Sequence, residues 1–320
     1  MVTIGCTLAM DSSAPGKAVS PLLSGEDLVG AVPGLAGIVN LQLENRHPIP
    51  SGHLQWNDLL TLSQRISDIC RGDPDGGVVV TTGTDTLEEA AYFVDLTLEL
   101  ENCVVFTGAL RDPTQIGPDG PRNLKDAVTV AASTVCRRLG VLTCLNAEIH
   151  AARDVTKMNT TDVSSFTSPK LGLLGVVHGE KVVMRRKPWT HEYIKTDRVA
   201  ERIELIKCVV GDEGRMMRAM TELGVEGFVI EGFGGGQVPP GLRDAIAEAM
   251  ERDIPVIMTS RCLWGELLVD TYDYLGSEID LRELGVLFIG CMSGPKARIK
   301  LALALASDSQ GAPLATYFPD

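Results

Sequence analysis

A run of small polar residues, Thr-Gly-Thr-Asp-Thr, occupies positions 82–86. The preceding residues 77–80 form a short, β-branched apolar stretch after the turn-rich sequence RGDPDGG, and this pattern predicts a buried strand. From position 87 the apolar residues recur as one face of a helix, at Leu87, Ala90, Ala91, Val94 and Leu98. Hydroxyl and carboxylate groups are therefore expected at the carboxyl end of a strand, where open α/β sheets bind ligands.

The same polar residues also fit a structural role. Asp85 with Glu88, or Thr86 with Glu89, has the spacing of a capping box, in which two side chains satisfy free N–H groups at a helix start. On this interpretation the loop stabilises a helix and takes no part in chemistry. The loop by itself leaves both interpretations open.

Three further polar groups stand at turns elsewhere in the chain. They are Thr7 in IGCTLAM, Ser51 in IPSGHL and Lys157 in RDVTKMNTTDVSSF. Each has an ordinary structural interpretation, as a turn threonine, a turn serine and a solvated surface charge. A free hydroxyl is a weak nucleophile until a neighbouring group accepts its proton, so Thr7 would need partners from other loops.

These motifs together resemble the bacterial-type L-asparaginases. GTDTLEEAAYF, starting at Gly83, is similar to that family's GTDTxEE signature. The other family pieces follow in family order, as IGCTLAM, GALRDPTQIGPDGPRNL, RDVTKMNTTDVSSF and PKARIKLALALA. Matches in order over nearly the whole chain are far more specific than any single motif. In this context the GPDGPRNL turn is expected to be mainly structural.

The resemblance implies hydrolysis of L-asparagine to L-aspartate and ammonia through a threonine acyl-enzyme, without a cofactor. It assigns Thr7 as the nucleophile, with Thr84, Asp85 and Lys157 as the group that handles protons. A lysine drawn close to hydroxyls and partly desolvated can accept a proton.

The resemblance also implies how a small zwitterionic substrate would be held. Asp85 would pair with the α-ammonium, and Ser51 would bind the α-carboxylate. Backbone N–H groups near Thr84 and Ala109 would stabilise the tetrahedral oxyanion. Holding both charges positions the amide for attack.

Two alternatives to an asparaginase remain open at this point. One is a glutaminase or a hydrolase of another small β- or γ-amide, because one methylene in a pocket is worth only about 1–3 kcal/mol. The other is a catalytically weak amino-acid-binding homologue. Ile4 and Cys6 replace a Thr and a Gly of the family's first motif, and the loop at 11–25 lacks the family's tyrosine.

Length and alternation predict two α/β domains. The 320 residues exceed the roughly 100–200 of a usual domain. We expect a larger N-terminal, mostly parallel-sheet catalytic domain over 1–187, a charged linker over 188–204, and a smaller parallel α/β domain over 205–320.

Composition argues against several classes of ligand. The net charge of −13 disfavours a nucleic-acid or membrane partner. Eight cysteines without CxxC spacing and five histidines without ligand spacing predict no metal site, and free, mostly buried thiols in the cytoplasm. The glycine-rich turn at 232–236 lacks GxGxxG order and predicts no nucleotide site. No signal peptide is expected, because the first motif lies within ten residues of Met1.

The resemblance finally implies a homo-oligomer, most commonly a tetramer and at least a dimer. All proposed catalytic residues precede position 160, which leaves the C-terminal domain without a chemical role of its own. Completing the site of a neighbouring subunit would give it one.

Overall fold

A computed structural model describes most of the chain as two compact units, residues 1–193 and 194–320. The described residues are 1–4, 10–11, 20–21, 24–32, 34–46, 49–99, 101–188, 191–290, 292–307 and 313–319. None of the helices in these ranges has the length and hydrophobicity of a membrane span.

The first unit is a mixed α/β structure built on one large sheet. Its strands are β1 (Val2–Thr3), β2 (Met10–Asp11), β3 (Ser20–Pro21), β4 (Glu44–Asn45), β5 (Val78–Thr81), β6 (Val104–Thr107), β7 (Val141–Leu145), β8 (Glu148–Ala151), β9 (Thr156–Lys157), β10 (Phe166–Thr167), β11 (Gly175–His178) and β12 (Lys181–Met184). Its α-helices are α1 (Gly25–Gly30), α2 (Trp56–Gly72), α3 (Leu87–Thr97) and α4 (Gly120–Ala131).

Eight of these strands form the large sheet, in the order β12-β11-β8-β7-β6-β5-β1-β4. Strands β4, β1, β5, β6 and β7 run parallel. Strands β8, β11 and β12 extend the sheet in antiparallel fashion. The mostly parallel sheet agrees with the sequence prediction, while the antiparallel extension depends on strand pairing that periodicity does not specify.

The strand and helix around the central polar loop form as predicted. Val78, Val79 and Val80 are buried in β5, and the apolar face of α3 from Leu87 onward is buried. Neither of the two possible capping boxes forms. Thr86 is the N-cap residue of α3, and its side chain accepts no hydrogen bond from the helix. The polar residues of this loop make contacts with other segments instead.

The strand order reverses between β1 and β5. From β1 the chain adds β4 on one side, and then returns to add β5 on the other. Thr3 is in register with Thr81, and the Ile4 N–H donates to the Thr81 carbonyl at 3.1 Å, so the two strands end side by side. In open α/β sheets such a reversal leaves a crevice at the carboxyl ends, where ligands bind. The loop at 82–86 leaves the sheet at this point.

The second unit is a smaller parallel sheet with helices. Its strands β13 (Ile203–Lys207), β14 (Gly227–Gly232), β15 (Val256–Ser260) and β16 (Leu287–Phe288) are all parallel and lie in chain order. Its helices are α5 (Arg215–Glu222), α6 (Pro240–Met250), α7 (Glu278–Glu283) and α8 (Gly294–Leu305). The six-residue α7 was not predicted, because it is too short to show a helical period.

The thiols are free and mostly buried, as expected. Five of the six described cysteines are buried and one is exposed: Cys70, Cys103, Cys136, Cys144 and Cys208, and Cys262 respectively. Burial raises the pKa of the Cys70 thiol to about 11 and that of Cys208 to about 12, so both remain protonated and unreactive near neutral pH. Cys6 and Cys291 lie outside the described residues.

Candidate active site

Lys157 reaches across 72 residues of sequence to the central polar loop. Its Nζ donates to Thr84 Oγ1 at 3.0 Å and to Asp85 Oδ1 at 2.8 Å. The Lys157 side chain is only 14% exposed, whereas that of Asp85 is 79% exposed. The structure thus brings together three of the residues predicted from the sequence: an ammonium, a buried hydroxyl and a solvent-facing carboxylate.

The position of Lys157 is set by a short hairpin. Strand β9 pairs with β10 in antiparallel register, with Lys157 opposite Phe166. The backbone N–H of Lys157 donates to Glu88 Oε1 on α3 at 3.1 Å. The position of Glu88 in the sequence suggests only a capping role. The contact of Glu88 with the Lys157 backbone has no signal in the local sequence, because the two residues are 69 positions apart.

Ser51 lies against the same loop. The Thr86 hydroxyl donates to the Ser51 carbonyl at 3.0 Å, and Ser51 is buried. A Cβ at Gly83 would come within 2.5 Å of Ser51 Oγ, so this close approach requires glycine. The contact fixes Ser51 beside Thr84 and Asp85, although the two segments are more than 30 residues apart in sequence.

A cavity of about 330 Å³ opens where these segments meet. Its walls contain four predicted site residues, namely Ser51, Thr84, Asp85 and Lys157. The other lining residues are Pro50, Gly52, His53, Gly83, Leu110 and Thr160. The volume is at the lower end of the range for small-molecule sites. Its polar walls of both charge signs suit a small zwitterion.

The turn that contains Ala109 forms part of the surroundings of this cavity. Ala109 is buried, and its neighbour Leu110 lines the cavity. A Cβ at Gly108 would lie 3.2 Å from the Thr84 side chain, so the turn and the central loop are close. The Ala109 side chain faces the hydrophobic core, which leaves the backbone as its means of contact with a ligand.

Asp119 and Asn123 hold this turn in place. Asp119 accepts hydrogen bonds from the backbone N–H groups of Leu110 and Arg111, at 3.1 and 2.9 Å respectively. The Asn123 amide donates to the Gly108 carbonyl at 3.0 Å. The GPDGPRNL motif thus has the structural role that was predicted for it.

A second cavity of about 350 Å³ adjoins the first across the Lys157–Asp85 pair. It is lined by Asp85, Glu88, Lys157, Met158, Asn159 and Thr160. The two cavities share Asp85, Lys157 and Thr160. Lys157 therefore forms part of the wall between two spaces, and Glu88 lines only the second.

The predicted nucleophile Thr7 lies outside the described residues, as does Cys6. Most of the loop at 11–25 lies outside them too. Within the described ranges, no cluster of three or more His, Cys, Asp or Glu side chains could hold a metal ion.

The arrangement of described groups is suited to moving a proton. Thr84 Oγ1 accepts a hydrogen bond from an ammonium while its own hydroxyl proton stays available for donation, so the pair can relay a proton between Lys157 and a third group. Asp85 balances the lysine charge and presents a carboxylate to solvent.

Comparison with known proteins gives matches over both units. Residues 1–190 match the family model described as asparaginase, N-terminal, and residues 202–318 match the glutaminase/asparaginase C-terminal domain. The chain is 35% identical to an L-asparaginase of Bacillus licheniformis, over 97% of this chain and 96% of that protein. It is 36% identical to L-asparaginase 2 of Escherichia coli, over 88% of this chain and 80% of that protein.

A solved structure is similar over almost the full length. It is that of a probable cytoplasmic L-asparaginase from Campylobacter jejuni, with a TM-score of 0.87 and 28% identity. The match covers 99% of this chain and 97% of the other.

Proposed function

The chain belongs to the asparaginase family of amidohydrolases, and we propose that it hydrolyses L-asparagine to L-aspartate and ammonia through an acyl-enzyme on Thr7. The observation that carries this proposal is the contact of Lys157 Nζ with Thr84 Oγ1 and Asp85 Oδ1 beside a small polar cavity. Four matched relatives that are 31% to 36% identical to this chain are asparaginases or probable asparaginases by name, which supports the same reaction.

In the proposed reaction, the Thr7 hydroxyl attacks the side-chain amide carbon. Its proton passes through the Thr84 hydroxyl to Lys157 in its neutral amine form, and Lys157 returns this proton through Thr84 to the amide nitrogen, which leaves as ammonia. The remaining ester links Thr7 to the aspartyl group. Water then attacks this ester, and the same pair handles its proton, which releases aspartate and restores the Thr7 hydroxyl.

The substrate would be held by its two charged groups. Asp85 would bind the α-ammonium through its exposed carboxylate, and Ser51 would bind the α-carboxylate. This assignment is supported by the fact that both residues line the same space of about 330 Å³. Two fixed charges orient the amide toward the nucleophile, which lowers the entropic part of the barrier.

The oxyanion formed during attack would be stabilised by the backbone N–H groups of Thr84 and Ala109. Support comes from the closeness of the turn at Gly108 to the Thr84 side chain, and from the hydrogen bonds of Asp119 and Asn123 that hold this turn rigid. Donors that are already in position need no rearrangement when the negative charge develops.

The first prediction is that the protein releases ammonia from L-asparagine with a higher kcat/KM than from L-glutamine, by about 10- to 200-fold, the range that one methylene allows. A coupled ammonia assay with both amides, with aspartate binding measured in parallel by calorimetry, provides the test. Preference for glutamine would contradict the substrate assignment. Aspartate binding without ammonia release from any small amide would instead identify a binding protein.

We also place the enzyme in the cytoplasm. The free, mostly buried thiols are typical of a reducing compartment. The structurally similar Campylobacter protein is called a probable cytoplasmic L-asparaginase, which supports the same assignment.

We further propose that the chain forms a homo-oligomer, at least a dimer and in full a tetramer. Support comes from an exposed apolar surface on the second unit, which we call the 263–275 patch. Its exposed side chains are Leu263, Trp264, Val269, Tyr272, Tyr274 and Leu275. Exposed clusters of large apolar and aromatic groups are typical of protein interfaces.

The 263–275 patch is held in a defined shape by a buried carboxylate. Glu278 Oε1 accepts hydrogen bonds from the N–H groups of Thr271 and Tyr272, at 2.8 and 2.7 Å. The Gln237 amide donates to the other oxygen at 3.1 Å. A preformed surface loses less conformational entropy on association, which favours a lasting interface.

The second prediction is that the protein sediments as a tetramer at low micromolar concentration. The double variant Trp264→Glu, Tyr274→Glu should dissociate, because two buried, unpaired charges oppose association. Activity should fall in parallel if a neighbour completes the site. Val210→Glu is the matched control, since Val210 is 94% exposed on the same unit but outside the patch. A fully active monomer would rule out a shared site.

A further inference from the structure

We infer that Glu88 is a positioning residue that fixes Lys157 for proton transfer, a role distinct from the helix capping its place in the sequence suggests. The inference rests on the proposed function for its catalytic consequence. Its structural part, the contact of the Glu88 carboxylate with the Lys157 backbone, can be tested without any turnover.

Along one edge of the β9–β10 hairpin, the Glu88 carboxylate accepts the backbone hydrogen bond that a neighbouring strand would otherwise accept. Strand β9 has only two residues, and in the described part of the chain it pairs with β10 alone. The Lys157 N–H bonds to Glu88 Oε1 at 3.1 Å. A hydrogen bond to an ionised carboxylate is roughly twice as strong as one between neutral groups. The carboxylate therefore anchors an element that has little pairing of its own.

The lysine is attached at two points to one short stretch of chain. Its backbone N–H meets Glu88, and its Nζ meets Thr84 and Asp85. All three partners lie within residues 84–88, at the start of α3. Because both ends of the lysine are held by the same short stretch of chain, we expect the distance from Nζ to Thr84 Oγ1, 3.0 Å here, to depend little on movements of the rest of the hairpin.

The local environment keeps the Glu88 carboxylate available for this contact. Glu88 is in the first turn of α3, where the positive end of the helix dipole favours a negative side chain. It lines the second cavity beside Lys157, so it has access to the hairpin and is not packed into the core.

The base of the hairpin is secured independently. Ser168, next to β10, shares a 2.9 Å hydrogen bond with His150 Nδ1 in the large sheet. Loss of Glu88 is therefore expected to release the Lys157 end of the hairpin while the Ser168 end stays attached. Because the Ser168–His150 contact does not involve Glu88, we expect a Glu88 variant to fold and still show the change at Lys157.

The third prediction is that Glu88→Ala lowers kcat for asparagine by about 10- to 100-fold with KM changed less than about threefold, since small misplacement of a catalytic group has an effect of this size. Glu88→Gln should recover most of the rate, because its amide oxygen can still accept the Lys157 N–H. Glu89→Ala, one position further along the same helix turn, is the matched control and should stay close to the parent. Thermal unfolding of each variant is measured alongside.

A chemical readout separates positioning from a general loss of structure. Lys157 should react slowly with isotopically labelled acetic anhydride in the parent, because its amine is engaged and largely buried. In Glu88→Ala its labelling, measured by mass spectrometry relative to the exposed Lys181, should rise at least about fivefold.

The outcomes distinguish the two proposals. Faster labelling in Glu88→Ala with a parent that never releases ammonia would uphold the positioning role and reject the proposed function. An active parent whose Glu88→Ala variant keeps its kcat and its labelling rate would overturn the positioning role. Equal loss in Glu88→Gln and Glu88→Ala would also overturn it, since the glutamine keeps the acceptor.

Discussion

Thr7→Ala is expected to reduce ammonia release from asparagine by about 10⁴-fold or more while leaving the fold intact. The reason is that the acyl-enzyme forms on this hydroxyl, and alanine has no atom that can attack the amide. The residual rate would come from substrate binding and oxyanion stabilisation acting on water. The measurement is steady-state ammonia release, with thermal unfolding and aspartate calorimetry to show that structure and binding persist.

Thr7→Ser supplies the matched control for this prediction. Serine keeps the attacking oxygen and loses only a methyl group, so it should retain much more activity than alanine. An alanine variant that hydrolyses asparagine near the parent rate would show that the nucleophile lies elsewhere. The control also separates loss of the hydroxyl from other effects of the substitution.

Thr84→Val and Lys157→Met should each lower kcat by about 10²- to 10⁴-fold, the range of general acid–base catalysis. Valine matches threonine in shape but lacks the hydroxyl, and methionine keeps most of the lysine stem without its charge. Because Lys157 Nζ and Thr84 Oγ1 are 3.0 Å apart and act on one proton, the double variant should lose far less than the product of the two single losses.

The measurement is a double-mutant cycle on kcat with asparagine. A second cycle through Thr129→Val and Lys181→Met is the control. The Thr129 hydroxyl bonds to the Lys125 carbonyl within α4, and Lys181 is an exposed residue of β12, so neither touches the proposed site. Both control variants should stay near the parent rate. Multiplicative losses in the Thr84–Lys157 cycle would mean that the two residues act separately.

We propose different roles for Asp85 and its neighbour Thr84, because their surroundings differ. The Thr84 side chain is buried against the turn at Gly108, whereas the Asp85 carboxylate extends into solvent and pairs with Lys157. Residues adjacent in sequence therefore face different parts of the site. Such a division suits a loop in which one residue moves protons and the next binds a charged substrate.

Several local elements were predictable because their determinants are local. The buried valines of β5 follow from a short, continuous β-branched run, the apolar face of α3 follows from a period of 3.6 residues, and burial of these side chains drives both elements to form. The parallel sheet of the second unit follows from strand and helix alternation. The family resemblance rests on motifs that are likewise contiguous in sequence.

Sequence spacing did not identify the hydrogen-bond partner of a polar residue where both a local and a distant partner were possible. The spacing of Asp85 and Glu88 was compatible with a capping box, but Glu88 instead accepts the backbone N–H of Lys157. Thr86 donates to the Ser51 carbonyl and accepts nothing from the helix. In each case the partner comes from a distant segment that folding brings within hydrogen-bond range, and sequence spacing carries no information about that segment.

By itself the sequence determined the family, the α/β class, the two-domain organisation of alternating elements and the residue types available for chemistry. Only the tertiary structure decided the reversal of strand order beside β5, the cavity between Ser51 and Lys157, and the attachment of Lys157 to Glu88. The physical reason is the range of the interactions involved. Periodicity reports which face of an element is buried, whereas hydrogen bonds and ion pairs between distant segments exist only after the chain has closed the loops that separate them.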